Sequence, residues 1–415
     1  MTQLEKTQLR RDLRLMDAVA VGLGAIIGAG IFVVTGVAAR VAGPAFLVGL
    51  LLAGLVATFN ALSSAQLAAT YPQTGGTYEY GYRVLHPWLG FAAGWVFLAS
   101  KLAAGGTVAL GFAGYLSALF PAIPARPAAV AAVILLTLVN YFGIQKSGKL
   151  NTVVVSFSVL ALTYFIIGGI PSFNPANLQP FAPTGWRGIL ESGALLFFAY
   201  TGYARLATLG EEVHEPKKTI PRAILLSLGI AALLYFGVAL VAVASIGAEA
   251  MASSPSPLER AAQTFALPGA DLVVAIGATT AMLGVLLSQL LGISRMMFAM
   301  ARRRDLPAAL DQVHPSYATP DRGIFLTGFL LILISIFGTL DVIVSAASFT
   351  ILLYYSITNL AAMRMREEDR LFPGWLPVLG LVSCLGLAIT LRPLIIASGL
   401  GLLAAGFILR WIFKR

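Results

Sequence analysis

The chain has 415 residues, of which 58% are hydrophobic and only 11% charged, and its mean hydropathy is +0.85. Soluble domains carry roughly 25% charged residues, so this composition excludes a soluble globular protein. The net charge of +10 does not indicate nucleic-acid binding, because the charges fall in short segments between apolar runs. The one cysteine, Cys384, excludes a disulfide framework and a cysteine-rich metal site, and we expect no disulfide-linked subunit.

Apolar runs long enough to cross a hydrocarbon core of about 30 Å recur from end to end. They predict an all-α membrane protein of about twelve transmembrane helices. The polar segment 1–16 is not followed by a small-residue cleavage pattern, so we interpret the first run as a membrane helix rather than a signal peptide. The predicted spans are 17–39, 45–70, 88–116, 126–143, 150–170, 188–209, 220–246, 270–299, 322–338, 341–361, 373–391 and 393–412.

The basic residues predict the orientation. With the amino terminus inside, 21 of the 28 lysines and arginines fall in cytoplasmic segments and 5 in outer segments. This bias predicts that both termini are cytoplasmic, in a multi-pass protein of the cell membrane, with 1–16 as a cytoplasmic amino terminus.

Two predicted spans carry glycine in mid-membrane. Span 1 contains Gly-Leu-Gly-Ala-Ile-Ile-Gly-Ala-Gly-Ile-Phe (22–32), and span 6 contains Phe-Phe-Ala-Tyr-Thr-Gly-Tyr (197–203). Such glycines let a helix open where it faces protein or a water-filled cavity, although close helix packing explains them equally well in span 1. Interruptions at corresponding positions of two five-helix halves favour an inverted-repeat transporter, in which the positive helix ends suit a carboxylate.

Four stretches together resemble the amino acid–polyamine–organocation transporter superfamily over nearly the whole chain. They are the span 1 motif; 42–45 with 60–62 and 71–78; the span 6 motif with 211–213, Pro216 and 220–224; and 283–284 with 292–295, 299–302 and 305–307.

The resemblance implies a ten-helix transport core at 17–361, with repeats 17–170 and 188–361, and two additional helices at 373–412. It implies alternating access with a substrate site between spans 1, 3, 6 and 8. Amides at Ile27, Gly28, Ala29 and Gly30 would hold the substrate carboxylate. Carbonyls near Phe198, Ala199 and Thr201 would take the α-amino group. Gly202 belongs to the same part of the site, and Phe198 or Tyr200 would form an aromatic gate.

The chain departs from the family pattern at positions that matter for coupling. Where many relatives have an acidic residue after the span 6 motif, it has Ala204, and where some proton-coupled relatives carry a lysine in span 5, it has Ser158. Two cations lie within spans instead, Lys101 and Arg205. A charge at the bilayer centre costs at least about 2.5–3.5 kcal/mol, so each is expected to have a function or a partner.

Three interpretations of Lys101 remain open. It takes up and releases a driving proton, it stays charged and stands in for a sodium ion, or it is structural and extends towards the inside. The coupling candidates are Lys101, Ser158 and Ser288. The gate candidates are Arg205 paired with Asp17, and Glu211 and Glu212 in a mixed-charge loop whose simpler interpretation is a solvated loop.

The sequence therefore predicts a secondary transporter and not an enzyme, with no cofactor and no metal site. No acidic residue falls in mid-span, so a neutral amino acid is the expected substrate, carried with a proton or, alternatively, sodium. The alternatives are an amino acid exchanger, a transporter of cationic amino acids or polyamines, and a membrane sensor that binds amino acids without transporting them.

Overall fold

The computed structural model describes residues 13–71, 75–143, 148–207, 213–317 and 319–413. Within these ranges the regular structure is helical, apart from an isolated bridge between Leu13 and Val213. The α-helices are α1 (Leu15–Ile26), α2 (Thr35–Ala42), α3 (Phe46–Thr70), α4 (Thr77–Tyr80), α5 (Pro87–Leu119), α6 (Ala125–Tyr141), α7 (Gly148–Gly169), α8 (Gly185–Tyr200), α9 (Ala204–Ala207), α10 (Pro216–Ser253), α11 (Pro257–Ala262), α12 (Ala270–Arg302), α13 (Asp321–Phe337), α14 (Leu340–Met363), α15 (Trp375–Ala388) and α16 (Pro393–Phe413).

Seven helical stretches of the described chain are long and apolar enough to cross a membrane. The longest, Leu15–Thr70, has 56 residues, more than twice what one crossing of about 20 residues needs. The other six are Pro87–Leu119, Thr152–Ser172, Lys218–Ser253, Ala270–Arg302, Leu340–Met363 and Pro393–Phe413, and α6 and α15 are shorter apolar helices. The predicted all-helical, membrane-spanning character is confirmed.

The stretch Leu15–Thr70 is interrupted twice. The first interruption follows α1, where Ile27 takes an extended conformation (ψ 108°) before a π-helical turn at Gly30–Val34 leads into α2. The second follows α2, where Gly43 has φ 59°, a left-handed conformation that costs glycine little. Helix α10 changes direction similarly at Gly247, with φ 78°.

The segment α8–α9 changes helix type without unwinding. A 3₁₀ turn, Thr201–Tyr203, joins the two helices, and its residues keep right-handed helical dihedrals at both ends. The Thr201 amide donates to the Phe198 carbonyl, the i to i+3 spacing of a 3₁₀ turn, and the Thr201 hydroxyl donates to the same carbonyl at 2.9 Å. Span 6 is therefore tightened here, whereas the sequence predicted an opened backbone.

Helices α5, α12 and α14 form the centre of the described bundle. Small residues allow their close approach: a Cβ on Gly94 would lie 2.9 Å from the Met300 sulfur of α12. On the other side, the Ser100 hydroxyl of α5 donates to the Ala347 carbonyl of α14 at 3.3 Å. With little hydrophobic drive between helices in lipid, such small-residue contacts and hydrogen bonds set the packing.

Candidate substrate site

The two interrupted segments pack directly against each other. A Cβ built on Gly30 would lie 2.5 Å from the Ala199 Cα, and one built on Gly202 would lie 2.1 Å from the Ala25 carbonyl oxygen. Both distances are far shorter than any normal carbon contact. The crossing therefore needs glycine at positions 30 and 202, and it brings the predicted residues of spans 1 and 6 together.

The first interruption leaves helix-end amides at this crossing. The amides of Ile31 and Phe32 both donate to the Gly28 carbonyl, at 3.2 and 3.4 Å, so a new helical segment starts here. The first amides of a helix have no partner within that helix and carry its positive dipole end. Those of Ala29 and Gly30 belong to this first turn, and they are suited to an anionic group such as a carboxylate.

The carbonyls at the end of α8 are partly engaged by the protein. The Phe198 carbonyl accepts the Thr201 hydroxyl, and the Thr201 carbonyl accepts the Tyr355 hydroxyl at 3.4 Å. Ala199 and Tyr200 are buried. A substrate amino group at this end would therefore share or replace these hydrogen bonds.

The two aromatic gate candidates differ in their surroundings. The Tyr200 hydroxyl donates to the Leu50 carbonyl at 3.4 Å, and its ring packs on Tyr235 with centroids 5.5 Å apart. Phe198 is only partly buried and lies against Ala103, Ile343 and Ala347. Of the two, Phe198 is the side chain with a free face.

A small cavity lies beside the end of α1. Its volume is about 10 Å³, roughly the 10–15 Å³ that a single water molecule needs. Ser158 lies in its wall and donates to the Val154 carbonyl at 2.8 Å. Ser288, the other serine candidate, is exposed and lies one helical turn beyond this wall. The cavity is lined by Gly24, Ile27, Val154, Val155, Ser158, Ala281 and Gly284.

Lys101 lies on α5 with its ammonium group 5.6 Å from the centroid of the Phe97 ring. No ion pair among the described side chains includes it. Aromatic contacts continue from Phe97 to Tyr354 (5.4 Å) and from Tyr354 to Tyr355 (5.2 Å), whose hydroxyl reaches Thr201. Lys101 is thus connected by packing to the 3₁₀ turn of the candidate site.

The predicted gate residues fall into two groups. The Asp17 carboxylate accepts the Arg14 amide at 3.0 Å and so caps the start of α1. Arg205 is exposed on α9, and its pairing with Asp17 stays a prediction. Glu211 and Glu212 lie outside the described residues.

The sequence did not predict a buried polar network at the ends of α12 and α16. Arg410 Nε lies 3.0 Å from Asp305 Oδ1, and both side chains are buried. Tyr78 and Tyr82 donate to Asp305 Oδ2 at 2.8 and 2.5 Å, and Arg410 donates to the Tyr82 hydroxyl at 2.9 Å. Burial and then the nearby Asp305 raise the pKa of Tyr78, so its hydroxyl stays a donor. The network ties the last helix to the segment between α3 and α5.

Glu79 extends this network towards the surface. It pairs with Arg83 at 2.5 Å and with Arg303, whose guanidinium lies 4.6 Å from the centroid of the Tyr82 ring. A separate ion pair joins Arg40 of α2 to Asp341 of α14, with 2.6 Å between the charged groups. The Glu79–Arg303 and Arg40–Asp341 pairs therefore join segments that are far apart in the sequence. No group of three or more potential metal-ligating His, Cys, Asp or Glu side chains occurs in the described part of the chain.

The amino acid permease family model matches residues 17–410, nearly the whole chain. The chain belongs to the amino acid permease family. An uncharacterized transporter of Mycobacterium tuberculosis is 41% identical to this permease, and the matched region covers 96% of the permease and 90% of the relative. The branched-chain amino acid permease BcaP of Bacillus subtilis is 30% identical, and the matched region covers 98% of the permease and 94% of BcaP. The mouse cationic amino acid transporter 4 is 31% identical over 88% of the permease, which covers 61% of that relative.

Family membership confirms the resemblance in the sequence motifs. The permease is a multi-pass membrane transporter of the amino acid type and not an enzyme. The crossing of Gly30 with Ala199 thus lies in the interior of a transport protein.

Proposed function

We propose that this permease is a secondary active transporter that moves neutral amino acids across the cell membrane by alternating access, driven by protons. The observation that carries the proposal is the crossing of the two interrupted segments. It places the helix-end amides at Ala29 and Gly30 beside the α8 residue Ala199 and thus near the carbonyls of Phe198 and Thr201. An amino acid has one anionic and one cationic group on the same carbon, and helix-end amides with carbonyls nearby would match both.

The preference for neutral substrates follows from the surroundings of the crossing. The buried carboxylates of the described chain are Glu79, Glu259 and Asp305, and each is engaged by other side chains. A cationic side chain would be buried at the crossing without an acidic partner, which is costly. The similarity to the branched-chain amino acid permease BcaP agrees with a neutral, branched substrate, whereas the similarity to the mouse cationic amino acid transporter keeps cationic amino acids as the alternative.

The proposed arrangement in the membrane has twelve spans with both termini in the cytoplasm. The core at 17–361 would consist of the inverted repeats 17–170 and 188–361, and 373–412 would form two peripheral helices. The interruptions at Ile27 and Gly43 support two crossings within Leu15–Thr70. On this arrangement Arg410 and Asp305 lie at the cytoplasmic end, and Arg40 and Asp341 at the outer end.

Lys101 is the proposed coupling residue. A proton on its ammonium group would be stabilised by the Phe97 ring, and the aromatic side chains Tyr354 and Tyr355 would transmit its charge state to Thr201. In the sodium alternative the ion would use the small cavity beside Ser158.

Transport by purified protein in liposomes tests these proposals. Uptake of labelled leucine, alanine, arginine and putrescine is measured with and without an inward proton gradient, and then with a sodium gradient. We expect gradient-stimulated uptake of leucine and alanine, lost in Lys101→Ala and kept in Lys218→Ala, an exposed control lysine. Uptake that ignores both gradients but rises with internal amino acid indicates an exchanger. Binding without uptake indicates a sensor.

A further inference from the structure

A groove on the periphery of the bundle combines an apolar floor with one positive charge. Its lining residues are not those of the crossing between Gly30 and Ala199. It has a volume of about 380 Å³ and lies between the start of α6 and the end of α13. Its only charged lining residue is an arginine, and no acidic side chain lines it. The lining residues are Arg126, Pro127, Val130, Ala131, Ile134 and Ile336.

The arginine is held in place at the mouth of the groove. Arg126 Nη1 donates to the Ile336 carbonyl at 2.7 Å, one of the last carbonyls of α13, which lacks a partner in its own helix. A guanidinium has five N–H donors in a rigid fork, so the rest of Arg126 stays available to an anion. The fork suits the oxygens of a phosphate.

The apolar floor runs from the arginine along one face of α6. Arg126, Val130 and Ile134 are spaced by four residues and so lie above one another, over about 12 Å at 1.5 Å per residue. Ile134 and Ile336 are 46% and 37% exposed. In a membrane protein these side chains face lipid, and Arg126 lies at the helix end, where the phosphate layer of a bilayer begins.

We infer that this groove is a specific binding site for one anionic phospholipid, with its phosphate on Arg126 and an acyl chain along Val130, Ala131 and Ile134. The lipid would fasten α6 to α13 across the groove. The single positive charge and the absence of an acid from the lining favour a lipid with net negative charge over a zwitterionic one. The inference needs only that the protein spans a membrane, and it is independent of the transported substrate.

Native mass spectrometry of the purified full-length permease, titrated with phosphatidylglycerol or phosphatidylcholine, tests the site. The test variants are Arg126→Gln, which keeps donors but removes the charge, and Ala131→Trp, which fills the groove and keeps the arginine. Arg187→Ala removes another exposed arginine outside the groove and serves as the matched control. Unchanged gel-filtration profiles establish that each variant is folded.

We expect wild type and Arg187→Ala to retain one phosphatidylglycerol more tightly than phosphatidylcholine. Both groove variants are expected to bind it about tenfold more weakly. Arg126→Gln loses the charge-assisted hydrogen bond to the phosphate, and Ala131→Trp loses the space that the acyl chain occupies. Equal retention in wild type and Arg126→Gln overturns the inference. So does a loss in Arg126→Gln without a loss in Ala131→Trp, because the lipid would then bind the surface charge and not the groove.

Discussion

Arg410, near the end of the last described helix, forms a buried ion pair with Asp305, which lies 105 residues earlier in the chain. The two side chains are only 5% and 0% exposed, and the Arg410 guanidinium also lies 5.0 Å from the centroid of the Phe91 ring. A buried pair gains little over an apolar pair but leaves an uncompensated charge when one partner is removed. The pair therefore fixes where the end of α16 can lie.

Arg410→Ala and Asp305→Asn are each expected to destabilise the permease by about 3–5 kcal/mol. Thermal unfolding in detergent measures this loss. The matched control is Arg366→Ala, which removes a pair with Glu368 whose side chains are 81% and 73% exposed; exposed pairs contribute about 0–1 kcal/mol. Similar melting temperatures for Arg410→Ala and Arg366→Ala would show that the buried pair does not hold α16.

The glycine at the crossing gives a second prediction. In Gly202→Ala the new methyl group would clash with the Ala25 carbonyl at 2.1 Å, so the two interrupted segments must separate. We expect a loss of stability of at least roughly 1–3 kcal/mol, as for overpacked cores, and strongly reduced uptake.

Gly229→Ala is the control for this substitution, since a Cβ at position 229 meets nothing within 4 Å. It is expected to keep or slightly raise stability, by up to about 1 kcal/mol, because alanine favours helix over glycine. Wild-type uptake and stability in Gly202→Ala would contradict the close crossing.

The sequence predicts those parts of the fold that depend on local composition. Apolar length placed span 3 at 88–116, where α5 runs from Pro87 to Leu119, and span 8 at 270–299, where α12 runs from Ala270 to Arg302. Mid-span glycine also predicted the interruption of the first helix, because glycine lowers the local cost of opening a helical backbone, although the extended residue itself is Ile27.

Contacts between distant residues could not be predicted in the same way. Asp305 and Arg410 each lie beside a span end, and nothing local distinguishes them from solvated charges. At the 3₁₀ turn Thr201–Tyr203, the Thr201 hydroxyl donates to the Phe198 carbonyl, and composition does not determine that contact. A signal was present for the network, since Tyr78 and Tyr82 are spaced by four residues and face one side of a helix.

Tyr115 links the interrupted first helix to the segment around α11. Its hydroxyl donates to the Phe32 carbonyl at 2.8 Å and accepts from the Leu258 amide at 3.2 Å. Tyr115→Phe removes both hydrogen bonds and leaves the Leu258 amide, in the first turn of α11, without this partner, so it is expected to cost about 1–3 kcal/mol. Hydrogen exchange should become faster around 256–263. The Tyr164 hydroxyl makes no hydrogen bond within the described residues, so Tyr164→Phe is expected to leave this exchange unchanged. Equal protection in both variants would rule out the link.

Glu259, on α11, gives a prediction for pH dependence. Burial raises the pKa of its carboxyl above the ordinary value of 4.5, although Ser256 and Gln263 donate hydrogen bonds to it. A carboxyl with a raised pKa in the folded protein contributes stability that is complete below its unfolded pKa and is lost as pH rises through its folded pKa. Wild type should therefore lose melting temperature, relative to Glu259→Gln, as pH rises from 4.5 towards neutrality.

The comparison with Glu259→Gln isolates this carboxyl from the others that titrate in the same range. Glu249→Gln, which removes an exposed carboxyl of α10, is the control and should keep the wild-type pH profile. A melting temperature that changes with pH identically in wild type and Glu259→Gln would mean that the buried carboxyl keeps its charge at no cost. Its two hydrogen bonds from Ser256 and Gln263 would then offset its burial.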